Sequence, residues 1–431
     1  MFHDLTNVLT RDGLLLLATR VTRLFAYGSL AVFLMLYLAE LGLSEAQIGV
    51  LLTLTLAGDT AVSLWLATRA DRIGRRRMLV IGALLMAAAG VVFALTDNFV
   101  LLLLAATIGV ISPSGNEVGP FLSIEQAALS HVVAARERTS VFAWYTLAGS
   151  FATAAGSLGG GVLIGALQAA GASALTSYRV AVAGYAVIGL VLALIFVRLS
   201  TAVEARPRDA GPETSAMPRP TLGLTHSRPT VLRLSGLFAL DAFAGGFVIQ
   251  SIAAYWFHVR FGVSPAVLGG IFFGANIFAG FSALLAARLA GQIGLVNTMV
   301  FTHLPSNVLL ILIPFMPNLP LAILVLLLRF SISQMDVPTR QSYVMAVVAP
   351  QERAAAAGVT SVARTTGAAL APVLAGPLLA YNLTLGLPFL VAGGLKIVYD
   401  LLLYRAFRRI KPPEERLPPQ ATTQSENGLT A

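Results

Sequence analysis

The chain has no cysteine in 431 residues, which excludes a disulfide framework and any thiolate metal site. Charge is scarce as well: Asp, Glu, Lys and Arg make up 11% of the residues, against 57% that are hydrophobic. Soluble chains carry about a quarter of their residues charged, so water is not the solvent for most of this surface. The five histidines have no metal-ligand spacing, no glycine-rich nucleotide loop lies outside an apolar run, and no Ser/His/Asp set has credible geometry. No metal, no cofactor and no enzymatic reaction is therefore expected. The leading MFHDLTNVLTRDG lacks a basic region followed by a small-residue cleavage site, and leads into a retained first helix.

What the chain has in quantity is apolar runs of roughly 20 residues, the length an α-helix needs to cross a hydrocarbon core. Lipid cannot satisfy free backbone groups, so such runs are helices or closed barrels. Stretches such as LLLLAATIGV and LAILVLLLRF are apolar on all sides and lack the alternation of a barrel strand. Twelve spans are predicted, at 13–40, 46–68, 78–96, 98–125, 139–168, 178–198, 231–257, 265–288, 296–316, 319–345, 354–381 and 385–405. The polar stretch at 199–230, rich in Pro, Arg, Asp, Glu and Ser, is a linker between residues 1–198 and 231–405. Residues 406–431 form a tail of the same unfoldable composition.

Arginines gather at 69–77, 136–138, 198–233, 353 and 405–416, while the connections near 40–45, 97 and 318 are acidic or neutral. This alternation places both termini in the cytoplasm and accounts for the net charge of +9 without a nucleic-acid partner. Arginine far outnumbers lysine, which fits a bacterial source and an inner (plasma) membrane address. The two halves also repeat each other. VVAARER at 132–138 returns as VVAPQER at 347–353, and ELGLSEAQIG at 40–49 parallels RFGVSPAVLG at 260–269. Two six-helix units of parallel topology follow, with a site expected near midplane between them.

Between spans two and three stands LATRADRIGRRR, residues 66–77. It resembles the Gly-x-x-x-Asp-Arg-x-Gly-Arg-[Lys/Arg] signature of the major facilitator superfamily (MFS), matched by Asp71, Arg72, Gly74, Arg75 and Arg76, with Ala67 or Thr68 near the family's opening glycine. The resemblance covers 13–405 and implies an all-α integral membrane fold of two pseudo-symmetric six-helix bundles. It also implies a cytoplasmic gate at Asp71, Arg72, Gly74, Arg75 and Arg76, which charge-assisted hydrogen bonds could latch across the halves; topology alone would also explain the arginines. The counterpart LAGQIGLVN at 289–297 carries no charge, so latching would be one-sided. The glycine-proline pattern of the antiporter branch has its nearest match in GAALAPVLAG at 367–376, though small residues equally serve close helix packing.

Ionisable residues at membrane depth are costly and mark either a cavity or a buried pair. Arg20 and Arg23 lie about 10–15 Å into span one at 1.5 Å per residue. Asp59 lies mid-span, some 18 Å from the basic loop by the same rise; it is a candidate proton carrier or the ion-pair partner of Arg20 or Arg23. Glu117 and Asn116 follow SPSGN, where Pro113 and Gly115 predict a kinked or unwound turn. Glu125 is expected in a cytoplasmic charge cluster opposite its repeat partner Arg340. Asp241, Arg329 and Arg364 complete the charged cavity candidates, with Tyr27 and Asn276 as polar ones. Glu117 and Asp241 are further proton-coupling candidates, and Lys396 with Asp400, spaced i, i+4, are expected to pair locally.

These residues support a secondary active transporter of a small organic solute by alternating access, proton-coupled and exporting as an antiporter, monomeric and partnered by the lipid bilayer, solute and protons. Four arginines at 20, 23, 329 and 364 support a second reading, an organic-anion or phosphate-ester carrier. A non-transporting membrane receptor is a third, disfavoured by the lack of a folded soluble domain. Acidic neighbours of the arginines decide between the first two.

Overall fold

A computed structural model describes residues 10–133, 137–204, 224–382 and 385–410, with the backbone alone at 138–140. The bulk of the linker and the tail after Ile410 lie outside the described residues. The helices are α1 (Arg11–Glu40), α2 (Glu45–Ile73), α3 (Arg75–Leu95), α4 (Phe99–Ile108), α5 (Phe121–Val132), α6 (Arg138–Ala169), α7 (Ala174–Val197), α8 (Arg228–Gly246), α9 (Gln250–Phe261), α10 (Pro265–Ile293), α11 (Leu295–Leu312), α12 (Leu319–Ser333), α13 (Asp336–Val347), α14 (Arg353–Leu370), α15 (Pro372–Tyr381) and α16 (Leu387–Phe407). Four pairs, α4/α5, α8/α9, α12/α13 and α14/α15, are single spans with a break inside. The helices thus make twelve spans; eleven are long and apolar enough to cross a membrane continuously, and the twelfth contains the short α4.

Exposed apolar side chains define the lipid surface. Val187, Leu190 and Leu194 on α7 stand out from the protein, an arrangement natural in hydrocarbon. The centre belongs to α1, whose Tyr27, Ala31, Val32 and Leu34 have no exposed surface. It packs on α6 and α7 of its own half and on α9 of the other.

The repeat seen in sequence is built into the packing. A Cβ on Gly28 would lie 2.1 Å from the Thr153 carbonyl oxygen, and one on Gly246 would lie 2.5 Å from that of Ala368. These are the same contact, α1 on α6 and α8 on α14, displaced by 218 residues in one partner and 215 in the other. Between the halves, Gly49 on α2 meets Pro372 and Gly376 of α15, while Gly269 on α10 meets Ser157 and Gly161 of α6. Ser44 and Ser264 cap α2 and α10 in the same way. Small residues let the backbones touch where lipid offers no hydrophobic drive to associate.

The linker ends are structured. Glu204 receives the backbone N–H groups of Arg75 (2.6 Å) and Arg76 (3.3 Å) at the start of α3, where a carboxylate suits both the free donors and the helix dipole. At the other end, Glu352 accepts the N–H groups of Thr225, His226 and Ser227. His226 is thereby part of an ordered turn, and span seven begins at Arg228, with Pro229 in its first turn, earlier than the expected 231.

Candidate functional site

Span four loses its helix over 109–120, where Pro113 and the positive-φ Gly115 and Gly119 stand. Its stranded backbone is met by other groups, as membrane depth requires. The Pro113 carbonyl accepts the Ser251 N–H at 3.1 Å, which comes from the first turn of α9, just beyond the break in span seven. Two broken helices, one from each half, therefore join main chain to main chain. Gly115 lies against Ala31, Gln250 and Thr153, and Gln250 and Asn276 donate to Ser157 at 3.2 and 3.4 Å. Towards the face opposite the 71–76 loop, Tyr255 donates to Glu45 (3.0 Å) and Val373 N–H to Thr53 (2.8 Å).

The unwound segment also aims Glu117 at α1. Arg20 donates to its Oε2 at 2.5 Å and Arg23 to its Oε1 at 2.8 Å. Arg23 then makes a bidentate pair with Glu125 at 2.7 and 2.8 Å, the fork geometry that guanidinium fits best. Thr19 and Tyr145 donate to the same Glu125 carboxylate, and the two guanidiniums lie over the rings of Tyr145 and Phe121. Arg23 and Glu125 have no exposed surface. Glu125, expected in a charge cluster at the membrane surface, is thus one of the most enclosed groups in the molecule. It faces inward because α5 turns this side of span four onto α1.

Asp59 is not paired with either arginine. Its carboxylate accepts the Gly119 N–H at 2.5 Å and the Ser63 hydroxyl at 3.3 Å. Among the described residues it has no cationic partner, unlike Glu117 and Glu125. Tyr27 donates to the Val118 carbonyl at 3.2 Å, so its hydroxyl holds the unwound segment. Asn116 is exposed.

In the second half Asp241 on α8 collects cations. Lys396 lies at 2.5 Å, Arg364 at 3.1 Å, Arg340 at 3.4 Å and His303 at 3.8 Å. Arg340 also binds Asp336 at 2.6 Å, and Asp400 is held by His303 at 2.8 Å and Asn307 at 2.9 Å. Lys396 and Asp400 therefore do not pair with each other: inside the protein each finds a shorter, fixed partner on another helix. Arg329 has no hydrogen bond or ion pair among the described residues; its guanidinium lies over the Phe330 ring at 5.0 Å, and its Nε is buried without a hydrogen-bond partner.

At the 71–76 loop Asp71 pairs with Arg75 at 2.8 Å, Arg75 donates to the Val203 carbonyl and Arg76 to that of Leu199, while Arg72 is exposed. The described partners lie in the same half and at the start of the linker, and Gly74 takes φ +117° to make the turn.

The family model of the Major Facilitator Superfamily matches residues 15–372, with a second match over 242–427. The chain belongs to this superfamily. It is therefore a membrane transporter and not an enzyme. An uncharacterized membrane protein of Saccharomyces cerevisiae is 33% identical over 422 residues, covering 91% of this chain and 93% of that protein. Among solved structures, a bacterial homolog of the human lysosomal transporter Spinster, inward-facing and unoccupied, superposes with a TM-score of 0.70 at 17% identity over 92% of this chain and 96% of that one. A variant of the nucleoside transporter NupG gives 0.72 at 14% over 92% and 100%. A D-xylose-proton symporter gives 0.66 at 14% over 91% and 97%. These likenesses bear on the fold.

Sequence reasoning placed Arg20, Arg23, Glu117, Asp241 and Arg364 at depth, and the structure gathers them into two charge clusters, one per half. It did not find Tyr145, His303 or Asn307 as cluster members, nor Arg340 as a buried one. The repeat offset was the available signal for Arg340, since Glu125 and Arg340 correspond through VVAARER and VVAPQER.

Proposed function

We propose that this transporter moves a small organic solute by alternating access with a proton as the coupling ion, and that Asp59 carries the proton. The observation that carries the reading is a carboxylate at membrane depth held by one N–H and one hydroxyl, with no cation beside it among the described residues. A carboxylate without a cation can bind and release a proton without breaking an ion pair, whereas protonating Glu117 or Glu125 would leave Arg20 or Arg23 uncompensated. Asp59 is also coupled to structure. Its acceptor role at Gly119 lies just ahead of α5, so protonation weakens the hold on the unwound segment that joins the two halves.

The excess of arginine at 69–77 and around the linker supports placing that face, and both termini, in the cytoplasm of the plasma membrane. The small-residue pattern at 367–376 is occupied in seating span eleven on Gly246 and Gly49, so it supports no direction of transport. Proteoliposomes supplied externally with a panel of labelled organic anions, cations and neutral metabolites, under an imposed pH gradient, test the reading. Wild type should accumulate one class uphill, and Asp59→Asn should lose accumulation while keeping solute exchange. Uphill accumulation by Asp59→Asn equal to wild type would overturn it.

A further inference from the structure

Arg329 has a place among the inward residues of span ten. Ala322, Leu326, Ser333, Asp336 and Arg340 are buried at steps of four, seven, three and four, and the half-buried Arg329 divides the step of seven into three and four on the same stripe, while Leu321, Leu324 and Leu328 present the lipid face. Its charge is therefore turned into the protein, away from lipid headgroups. A guanidinium in such a place is normally paired. The neighbouring carboxylates are already taken, Asp336 by Arg340 and Asp241 by Lys396, Arg364 and Arg340.

Counting the charged groups of this cluster with His303 left aside, four cations (Arg329, Arg340, Arg364 and Lys396) face three carboxylates (Asp241, Asp336 and Asp400). The second-half cluster carries one positive charge in excess. The first-half cluster carries the reverse, with Arg20 and Arg23 against Glu117, Glu125 and Asp59. Arg364 has a third of its side chain accessible, and it shares Asp241 with Arg340, which stands on the same stripe of span ten as Arg329.

We propose that Arg329, with the accessible edge of Arg364, receives the anionic group of the transported solute, a carboxylate or a phosphate ester. The anion travels with the proton on Asp59: for a singly charged anion, one negative charge arrives as one is neutralised, so the loaded core keeps the charge balance of the empty one and the cycle moves no net charge. The pairing with a proton rests on the function proposed above; the anion site does not.

The test is thermal unfolding of the full chain in detergent at constant ionic strength. The probes are acetate, benzoate, succinate, inorganic phosphate and phenyl phosphate, against benzamide and benzyltrimethylammonium as neutral and cationic counterparts. At least one anion should give a saturable rise in melting temperature, carboxylates and phosphates being told apart by which series acts. The rise should vanish in Arg329→Gln and survive in part in Arg329→Lys. Without ligand, Arg329→Gln should melt no lower than wild type, because an unpaired charge has been removed; a structural arginine would give a lower value. Asp59→Asn should keep the rise, which separates a failed anion site from a failed proton site. No stabilisation by any anion, equal stabilisation by benzamide or the ammonium ion, or an undiminished rise in Arg329→Gln would overturn the proposal. For a singly charged anion that does bind, such as acetate or benzoate, a steady transport current by the wild type on a supported membrane would overturn the electroneutral pairing.

Discussion

Arg23 and Asp241 stand at equivalent places in the two halves and carry opposite charge. The offset of 218 residues that relates Gly28 to Gly246 also relates these two, and the offset of 215 that relates Thr153 to Ala368 relates Glu125 to Arg340. One contact, first span to fourth span of a half, is thus written as Arg–Glu at 2.7 Å in the first half and Asp–Arg at 3.4 Å in the second. The second version is looser because Arg340 divides itself between Asp241 and Asp336.

The tighter pair should be the more expensive to break. Arg23→Ala leaves Glu125 buried without its cation and is expected to cost about 3–5 kcal/mol, read as a drop in melting temperature and yield. Arg23→Ala combined with Glu125→Ala should cost less than the two single changes added together, by about 1–3 kcal/mol. Strict additivity in the cycle would show that the pair is not a unit.

Partner choice in the second half can be measured in the same way. Lys396 bonds Asp241 at 2.5 Å and Asp400 bonds His303, so a cycle of Lys396→Met with Asp241→Asn should show coupling above about 1 kcal/mol. The cycle with Asp400→Asn should show less than about 0.5 kcal/mol. Equal couplings would restore the local i, i+4 pair.

The seam between α2 and α15 has no room for a side chain at Gly49, where a Cβ would lie 2.5 Å from the Pro372 carbonyl oxygen. Gly49→Leu should therefore prop this seam open. Because the chain has no cysteine, a single cysteine introduced at Asn116 is a background-free probe. Its labelling by a membrane-impermeant maleimide from the side opposite the 71–76 loop should rise several-fold in Gly49→Leu, and an unchanged rate would place the permeation barrier elsewhere.

At the loop itself, Glu204 fastens the linker to the start of α3 through two N–H groups. Glu204→Ala should cost about 1–2 kcal/mol, in the range of a lost helix cap. Trypsin should also cut the arginine-rich linker faster; a wild-type cleavage rate would show that this fastening does not order it.

The fold could be read from the chain because lipid leaves so few alternatives. Long apolar runs must be helices, and the repeated segments announce two related halves. The break in span four was equally legible, since Pro113 and Gly115 sit in an apolar run. The breaks at 247–249 and 334–335 were not, as proline is absent from both. The depth of each charge also followed from counting residues, but its partner did not. Glu125 and Arg340 look like surface charges by distance from the helix end, and only the rotation of the broken helices turns them inward. Lys396 and Asp400 obey a spacing rule derived for exposed helices, which fails where better partners come from neighbouring helices. Arg329 stands out for its depth, yet its want of an anionic partner is a property of the whole cluster and could not be read from span ten.

The bond between Ser251 N–H and the Pro113 carbonyl joins the halves through atoms that every residue supplies. Substitution can change what lines the site, altering charge, size and hydrogen-bonding pattern, without touching this joint. A protein built this way can exchange one solute for another over evolutionary time while its moving parts stay the same.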